Sequence, residues 1–147
     1  MEKGHLIEKI ADRIAELIEK AIDMRNYSYA PYSKFRVGAG LLAANGNLYG
    51  GCNIENAAYG PSNCAERTAF FKAVSEGVRE FTAIAIAGGP EEGIKDFCAP
   101  CGVCRQVMAE FCDKDSFLII LAKNASEYEV YTLSELFPKS FSPGDLG

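Results

Sequence analysis

The chain is short of what a nucleic-acid or membrane protein needs. Fifteen basic side chains stand against twenty acidic ones, a formal net charge of −5 with no visible basic run. That balance gives no electrostatic grip on a phosphate backbone, so nucleic acid is not an expected partner. No apolar stretch approaches the roughly 18 residues of a membrane-spanning helix. The N-terminus is charged and amphipathic, without the continuous apolar core of a secretion signal, which predicts a cytoplasmic protein. Histidine is nearly absent. His5 is the only one, at the start of the first predicted helix, where a solvated side chain is expected and not a ligand. The remaining composition is ordinary. With 147 residues, 48% hydrophobic and 24% charged, the chain reads as a single domain over 1–147, long enough to bury a core.

Cysteine is where the sequence becomes informative. There are six, and without a secretory leader they read as metal ligands more readily than as disulfides. Cys64 stands in Asn63-Cys64-Ala65-Glu66-Arg67-Thr68-Ala69. Far along the chain comes Pro100-Cys101-Gly102-Val103-Cys104-Arg105-Gln106. A Cys-x-x-Cys pair plus one distant Cys offers three soft ligands for Zn²⁺, the number typical of a catalytic site with a fourth position left to water. Glu66, two residues after the first ligand, is spaced to hold its carboxyl beside that position without being a ligand. Both segments are predicted to open helices, whose N-termini favour thiolates.

Residues 4–25 read as one amphipathic helix, with Leu6, Ile7, Ile10, Ile14, Leu17, Ile18, Ala21 and Ile22 at steps of three and four. An apolar run from Phe35 to Ala44 and a second from Asn47 to Gly51 flank Asn45-Gly46, a hairpin signal in which both turn residues tolerate positive φ. The small residues at 38, 39 and 40 predict a close approach by another element. Asn53 and Glu55 share a parity, so in extended chain they face one side. Asn63 is a candidate cap for a helix from Cys64 to Glu76 that Gly77 ends. Strands follow at 82–87, 117–122 and, as an edge strand, 128–132. A helix runs from Cys101 to about Cys112, and Leu133–Phe137 forms a short one. Alternating strands and helices indicate an α/β layered fold.

Four motifs in order resemble a known family: Pro31-Tyr32-Ser33-Lys34-Phe35, Gly51 through Tyr59, Cys64-Ala65-Glu66-Arg67, and Pro100 through Gln106. Together they resemble the cytidine deaminases of the small, three-cysteine, homotetrameric type, over about residues 32–141. The zinc nucleobase deaminases share the ligand-x-Glu and Pro-Cys-x-x-Cys pattern. The resemblance implies a three-layer α/β/α sandwich with a mixed sheet of about five strands. It implies zinc held by Cys64, Cys101 and Cys104, with Glu66 as the proton shuttle in hydrolysis of cytidine and deoxycytidine to uridine and deoxyuridine. Arg67 would hydrogen-bond the ligand sulfurs, and the Ala65 amide would meet the base carbonyl. Phe35 would stack on the pyrimidine, while Asn53 and Glu55 would bind the 3′-hydroxyl region of the sugar. Tyr59 and Phe141 would reach a neighbouring subunit's pocket in a homotetramer. The partner implied is a small pyrimidine nucleoside, in pyrimidine salvage.

Three alternatives stay open at this level. Another aminopyrimidine nucleoside, of the blasticidin type, is one. A closed zinc site of Cys64, Cys98, Cys101 and Cys104 is a second. A thiol redox pair at Cys101 and Cys104 is the third. Cys98 has no place in the family pattern and reads as an unpaired thiol, while Cys52 and Cys112 read as small buried apolar residues.

Overall fold

A computed structural model describes residues 2–147. Two helices open the chain, α1 (Lys3–Ile10) and α2 (Ile14–Met24), followed by the hairpin strands β1 (Phe35–Ala43) and β2 (Leu48–Cys52). Then come α3 (Ala65–Ser75), β3 (Phe81–Pro90), α4 (Gly102–Phe111), β4 (Leu118–Asn124), β5 (Glu127–Thr132) and α5 (Leu133–Leu136). The five strands form one sheet in the order β2-β1-β3-β4-β5. Only β3 and β4 are parallel neighbours; the other pairs are antiparallel. This is the expected mixed five-stranded sheet, with helices on both faces.

Strand alternation feeds two cores. On β3 and β4, Ile84, Ile86, Ile119 and Leu121 point to one face, where they meet Ala69, Phe70 and Ala73 of α3 and Met108 of α4. The intervening Ala83, Ala85, Ala87, Leu118, Ile120 and Ala122 point to the other, under Leu17, Ile18 and Ala21 of α2. Both faces are covered, so these strands read as continuous apolar runs. Phe70 anchors the first core, edge-on to Phe81 with ring centroids 5.0 Å apart and stacked on Phe111 at 6.4 Å. Helix α2 lies so close to β1 that a Cβ on Gly38 would fall 1.8 Å from the Ala21 carbonyl oxygen. That is the close approach the small residues at 38–40 predict.

Several local expectations are corrected. The helix over 4–25 is divided by a 3₁₀ turn at Ala11–Arg13, where Arg13 reaches the Gly46 carbonyl and Glu16. The hairpin does not need positive φ at both Asn45 and Gly46. Gly46 alone has it, at 91°, because a turn closed by Gly46 N–H onto the Ala43 carbonyl makes a three-residue loop. Asn63 does not cap α3. Cys64 is the capping position, and the Asn63 amide instead donates to Thr68 Oγ1 at 3.1 Å. Strand β3 runs three residues past 87, because its pairing with β1 continues to Phe35↔Pro90. Cys52 is buried as expected, but Cys112 is only half-buried.

Candidate active site

The topology explains how residues 64, 101 and 104 meet. Strand β2 is antiparallel to β1, and β1 to β3, so β2 and β3 point the same way. Helix α3 follows β2 and α4 follows β3. Both helices therefore start at the same edge of the sheet, the carboxyl ends of parallel strands, where crevices form. Gly51 sets how closely α3 can dock. A Cβ there would lie 2.3 Å from the Ala65 carbonyl oxygen and 2.5 Å from the Ala69 nitrogen. The chain after β2 is held as well. Ile54 and Asn63 exchange both backbone hydrogen bonds, at 2.9 and 2.8 Å, which ties the Asn53–Glu55 segment to the residue before Cys64.

Three sulfurs converge there. Cys64 and Cys101 Sγ are 3.5 Å apart, Cys101 and Cys104 Sγ 3.2 Å, and all three lie within 4.8 Å of one another. Thiolates sharing one tetrahedral zinc stand about 3.8 Å apart, so this set fits a single ion with small adjustment. Among the described residues no fourth His, Cys, Asp or Glu donor joins the cluster. Cys98 stays outside it, which removes the basis for a closed four-thiolate site. Positive charge is at hand: Arg67 Nη2 donates to Cys64 Sγ at 3.4 Å, while its buried Nε has no partner. The Cys104 amide at the start of α4 donates to Cys101 Sγ. The Cys64 thiol is held low, first by its hydrogen bond with Cys104 and then by Arg67, and Cys104 is pushed up in return.

Glu66 is the buried acid of the site. It is 4% exposed, and burial, reinforced by Cys64, pushes its carboxyl up to about 7. Charge on a desolvated carboxylate is unfavourable, which is the environment of a proton carrier working near neutrality. Cys98 is likewise raised by burial, to about 11, so it is not a ready nucleophile.

These groups open onto a cavity of about 350 Å3, a size suited to a small ligand. Asn53, Glu55, Tyr59, Ala65, Glu66 and Arg67 line it with Cys64, Cys98 and Cys101, and Cys104 lies buried beneath. The Asn53 amide donates to the Phe35 carbonyl at 2.8 Å and its oxygen accepts from Val37 N–H at 3.0 Å. Glu55 accepts from the turn before β1 and is held below the usual carboxylate range, chiefly by the Ser33 hydroxyl. Two expected residues stand apart. Phe35 lines a neighbouring depression with Gly88, Pro90 and Phe97. Phe141 is 56% exposed and held by Gln106, which donates to its carbonyl. Tyr59 is 94% exposed at the mouth.

Sequence reasoning missed Val37, Ser62, Asn63 and Ala99 in the wall. Val37 had a signal: it shares the parity of Phe35 on β1, so it faces the same side. Ser62 and Asn63 had none, since their place depends on the bridge to Ile54.

Comparison with known proteins agrees with this geometry. Residues 12–120 match the family described as "Cytidine and deoxycytidylate deaminase zinc-binding region". A cytidine deaminase of Sporosarcina psychrophila is 50% identical over 133 residues, covering 90% of this chain and 94% of that protein. One from Halalkalibacterium halodurans is 47% identical over 130 residues, 88% of this chain and 95% of its own. The crystal structure of cytidine deaminase from Burkholderia pseudomallei superposes with a TM-score of 0.77 at 44% identity, over 86% of this chain and 97% of that one. With three thiols gathered at two helix starts and a buried carboxyl beside them, the chain belongs to the cytidine deaminase family.

Proposed function

We propose that this protein hydrolyses cytidine and deoxycytidine to uridine and deoxyuridine, with release of ammonia. The observation that carries this is the near-neutral, buried Glu66 carboxyl beside a three-thiol cluster at the floor of a nucleoside-sized cavity. Cys64, Cys101 and Cys104 would hold the zinc ion. When bound, zinc lowers the pKa of a water molecule toward neutrality and so supplies the attacking nucleophile. A three-ligand protein set is the pattern of a catalytic site.

The chain's own groups do the rest. Glu66 accepts one proton from the water and delivers it to ring N3; it then takes the remaining proton of the hydroxyl added at C4 and passes it to the amine, so that the C4–N bond breaks, ammonia leaves and C4 becomes a carbonyl. Its raised pKa suits it to both directions of transfer. The Ala65 amide lies in the first turn of α3, where backbone N–H groups lack helical partners, and donates to the base carbonyl. Arg67 offsets thiolate charge through Cys64. Asn53 and Glu55, in the same cavity lining, receive the sugar. Among the described residues, Arg67 is the only cation lining the cavity, and it is engaged with Cys64. A nucleoside therefore suits the site better than a nucleotide, whose phosphate would find no partner.

To stack on the base, the Phe35 ring would turn out of the depression it lines with Gly88, beside Cys98, toward the main cavity. Tyr59 and Phe141 leave large apolar rings in solvent at and beyond the mouth. We read these exposed rings as contacts made with neighbouring subunits, in sites completed across a homotetramer. We read the chain as one domain, since both cores lie on one sheet, and as a cytoplasmic protein acting in pyrimidine salvage. Among the described residues, no helix is long and apolar enough to cross a membrane. The direct test is the ultraviolet change on loss of cytidine, with and without a zinc chelator. Turnover that survives metal removal refutes the reading. Light scattering checks the tetramer.

A further inference from the structure

Glu55 is not a free carboxylate waiting for a ligand. Its Oε1 accepts from the backbone N–H of Tyr32 and of Ser33, both at 3.1 Å, and its Oε2 accepts from the Ser33 hydroxyl. A carboxylate offers roughly four acceptor positions. Three are taken by one turn, and the position left over is on Oε2. Glu55 borders both the main cavity and the depression beside it, so the remaining position is within reach of a bound molecule.

The direction of the Ser33 hydrogen is fixed by a second contact. Phe35 N–H donates to Ser33 Oγ at 3.1 Å. An amide can only donate, so it occupies a lone pair of the hydroxyl and leaves the hydroxyl hydrogen to be given away. The alternative acceptor, the Phe35 carbonyl, is 3.5 Å away and neutral, whereas Glu55 is near and charged. Charge-assisted hydrogen bonds are the stronger kind. The turn itself is held in an uncommon shape. Lys34 has φ of 60°, in the left-handed region that a lysine rarely enters, and its N–H closes onto the Ala30 carbonyl at 3.1 Å. Strain of this kind persists only where the surroundings over-determine it.

We infer that Ser33 is a positioning residue: with the Tyr32 and Ser33 amides it commits all but one acceptor position of Glu55, so that the carboxylate presents a single, oriented oxygen site to one sugar hydroxyl. This rests on the reading of Glu55 as a sugar contact. The same serine also tethers the start of β1, so the sugar contact and Phe35 are set by one side chain. Ser33 does not touch the reacting atoms. It acts through Glu55, and its loss is felt as weaker binding of substrates that carry the hydroxyl.

The test compares cytidine with 3′-deoxycytidine in the zinc-loaded enzyme. Ser33→Ala is expected to raise KM for cytidine about tenfold while kcat stays within about twofold, the signature of lost uniform binding. On 3′-deoxycytidine the same substitution is expected to change KM by less than about twofold, because the contact is already missing. Ser33→Thr, which keeps the hydroxyl, restores the parental KM for cytidine. Ser33→Cys gives the same comparison at near-constant volume should the alanine variant fold poorly. Equal KM changes on both substrates, or none on either, overturn the inference and leave Ser33 as ordinary loop structure. Glu55→Gln separates the two levels. If it discriminates between the substrates and Ser33→Ala does not, the positioning role alone fails. If it treats both substrates alike, the sugar contact fails and the positioning role with it.

Discussion

Two glutamates share the cavity and live in opposite surroundings. Glu66 is buried at the start of α3, and burial pushes its carboxyl up to about 7. Glu55 is half-buried in the cavity wall, and Ser33 with two backbone amides holds it below the usual range. In the proposed mechanism one side-chain type thus serves both as proton carrier and as fixed acceptor. Environment assigns the roles: desolvation favours the protonated form, and hydrogen bonds to the charged form favour the carboxylate. The proposed roles follow that difference: proton transfer where charge is costly, binding where it is satisfied.

The largest expected effect comes from removing the carrier. Glu66→Gln should cut turnover by about 10²–10⁴-fold, the usual worth of a positioned acid–base group, with zinc content per chain unchanged. Steady-state rates and metal analysis on one preparation check both parts. Parental turnover in this variant would erase the distinction between the two glutamates. Next is Gly51→Val, which forces side-chain atoms against the Ala65 carbonyl and Ala69 nitrogen. Overpacking of this kind costs about 1–3 kcal/mol. Because it shifts the start of α3, zinc content should fall along with the melting temperature, while the turn around Glu55 keeps its form.

The comparison can be sharpened by pH. Glu55 has a folded-state pKa below its ordinary value. Its contribution to stability is therefore present above the ordinary carboxylate pKa and lost as pH falls through the folded value. The melting-temperature gap between parent and Glu55→Gln should be open at neutral pH, begin to narrow as pH falls past the ordinary carboxylate value, and close only below the lowered folded-state value. Glu66 carries the opposite sign. In protein stripped of metal its raised pKa costs stability as pH rises from the ordinary value to about 7. There Glu66→Gln should be the more stable form at pH 8 and lose that advantage in acid. Thermal melts across pH read both. The smallest effect is expected at Cys98, which shares the buried side with Glu66 but not the metal cluster. Cys98→Ser should leave zinc content unchanged and turnover within about twofold; loss of zinc would reinstate it as a ligand.

Much of this was legible before any coordinates. The short, continuous apolar runs at 82–87 and 117–122 read as strands buried on both faces, because side chains on both sides of such a strand are apolar. Cys64, Cys101 and Cys104 were legible as a set because thiol chemistry and spacing restrict what such residues can do, and Glu66 by its offset from the first of them. What was not legible depends on contacts between distant segments. The break in the first helix goes with the reach of Arg13 to Gly46. Val37 and Asn63 enter the cavity wall, and Phe35 is set aside from it, only through strand register and the Ile54 bridge. Nothing in Ser33 or Glu55 taken singly shows that one clamps the other.

The amino-acid order alone determined which side chains carry the chemistry, because donor type, pKa range and short-range spacing are properties of the covalent chain. The tertiary structure decided their proton states and their partners. Burial and hydrogen bonding are set by what packs against a group, and for Glu66 and Glu55 those neighbours come from elsewhere in the fold.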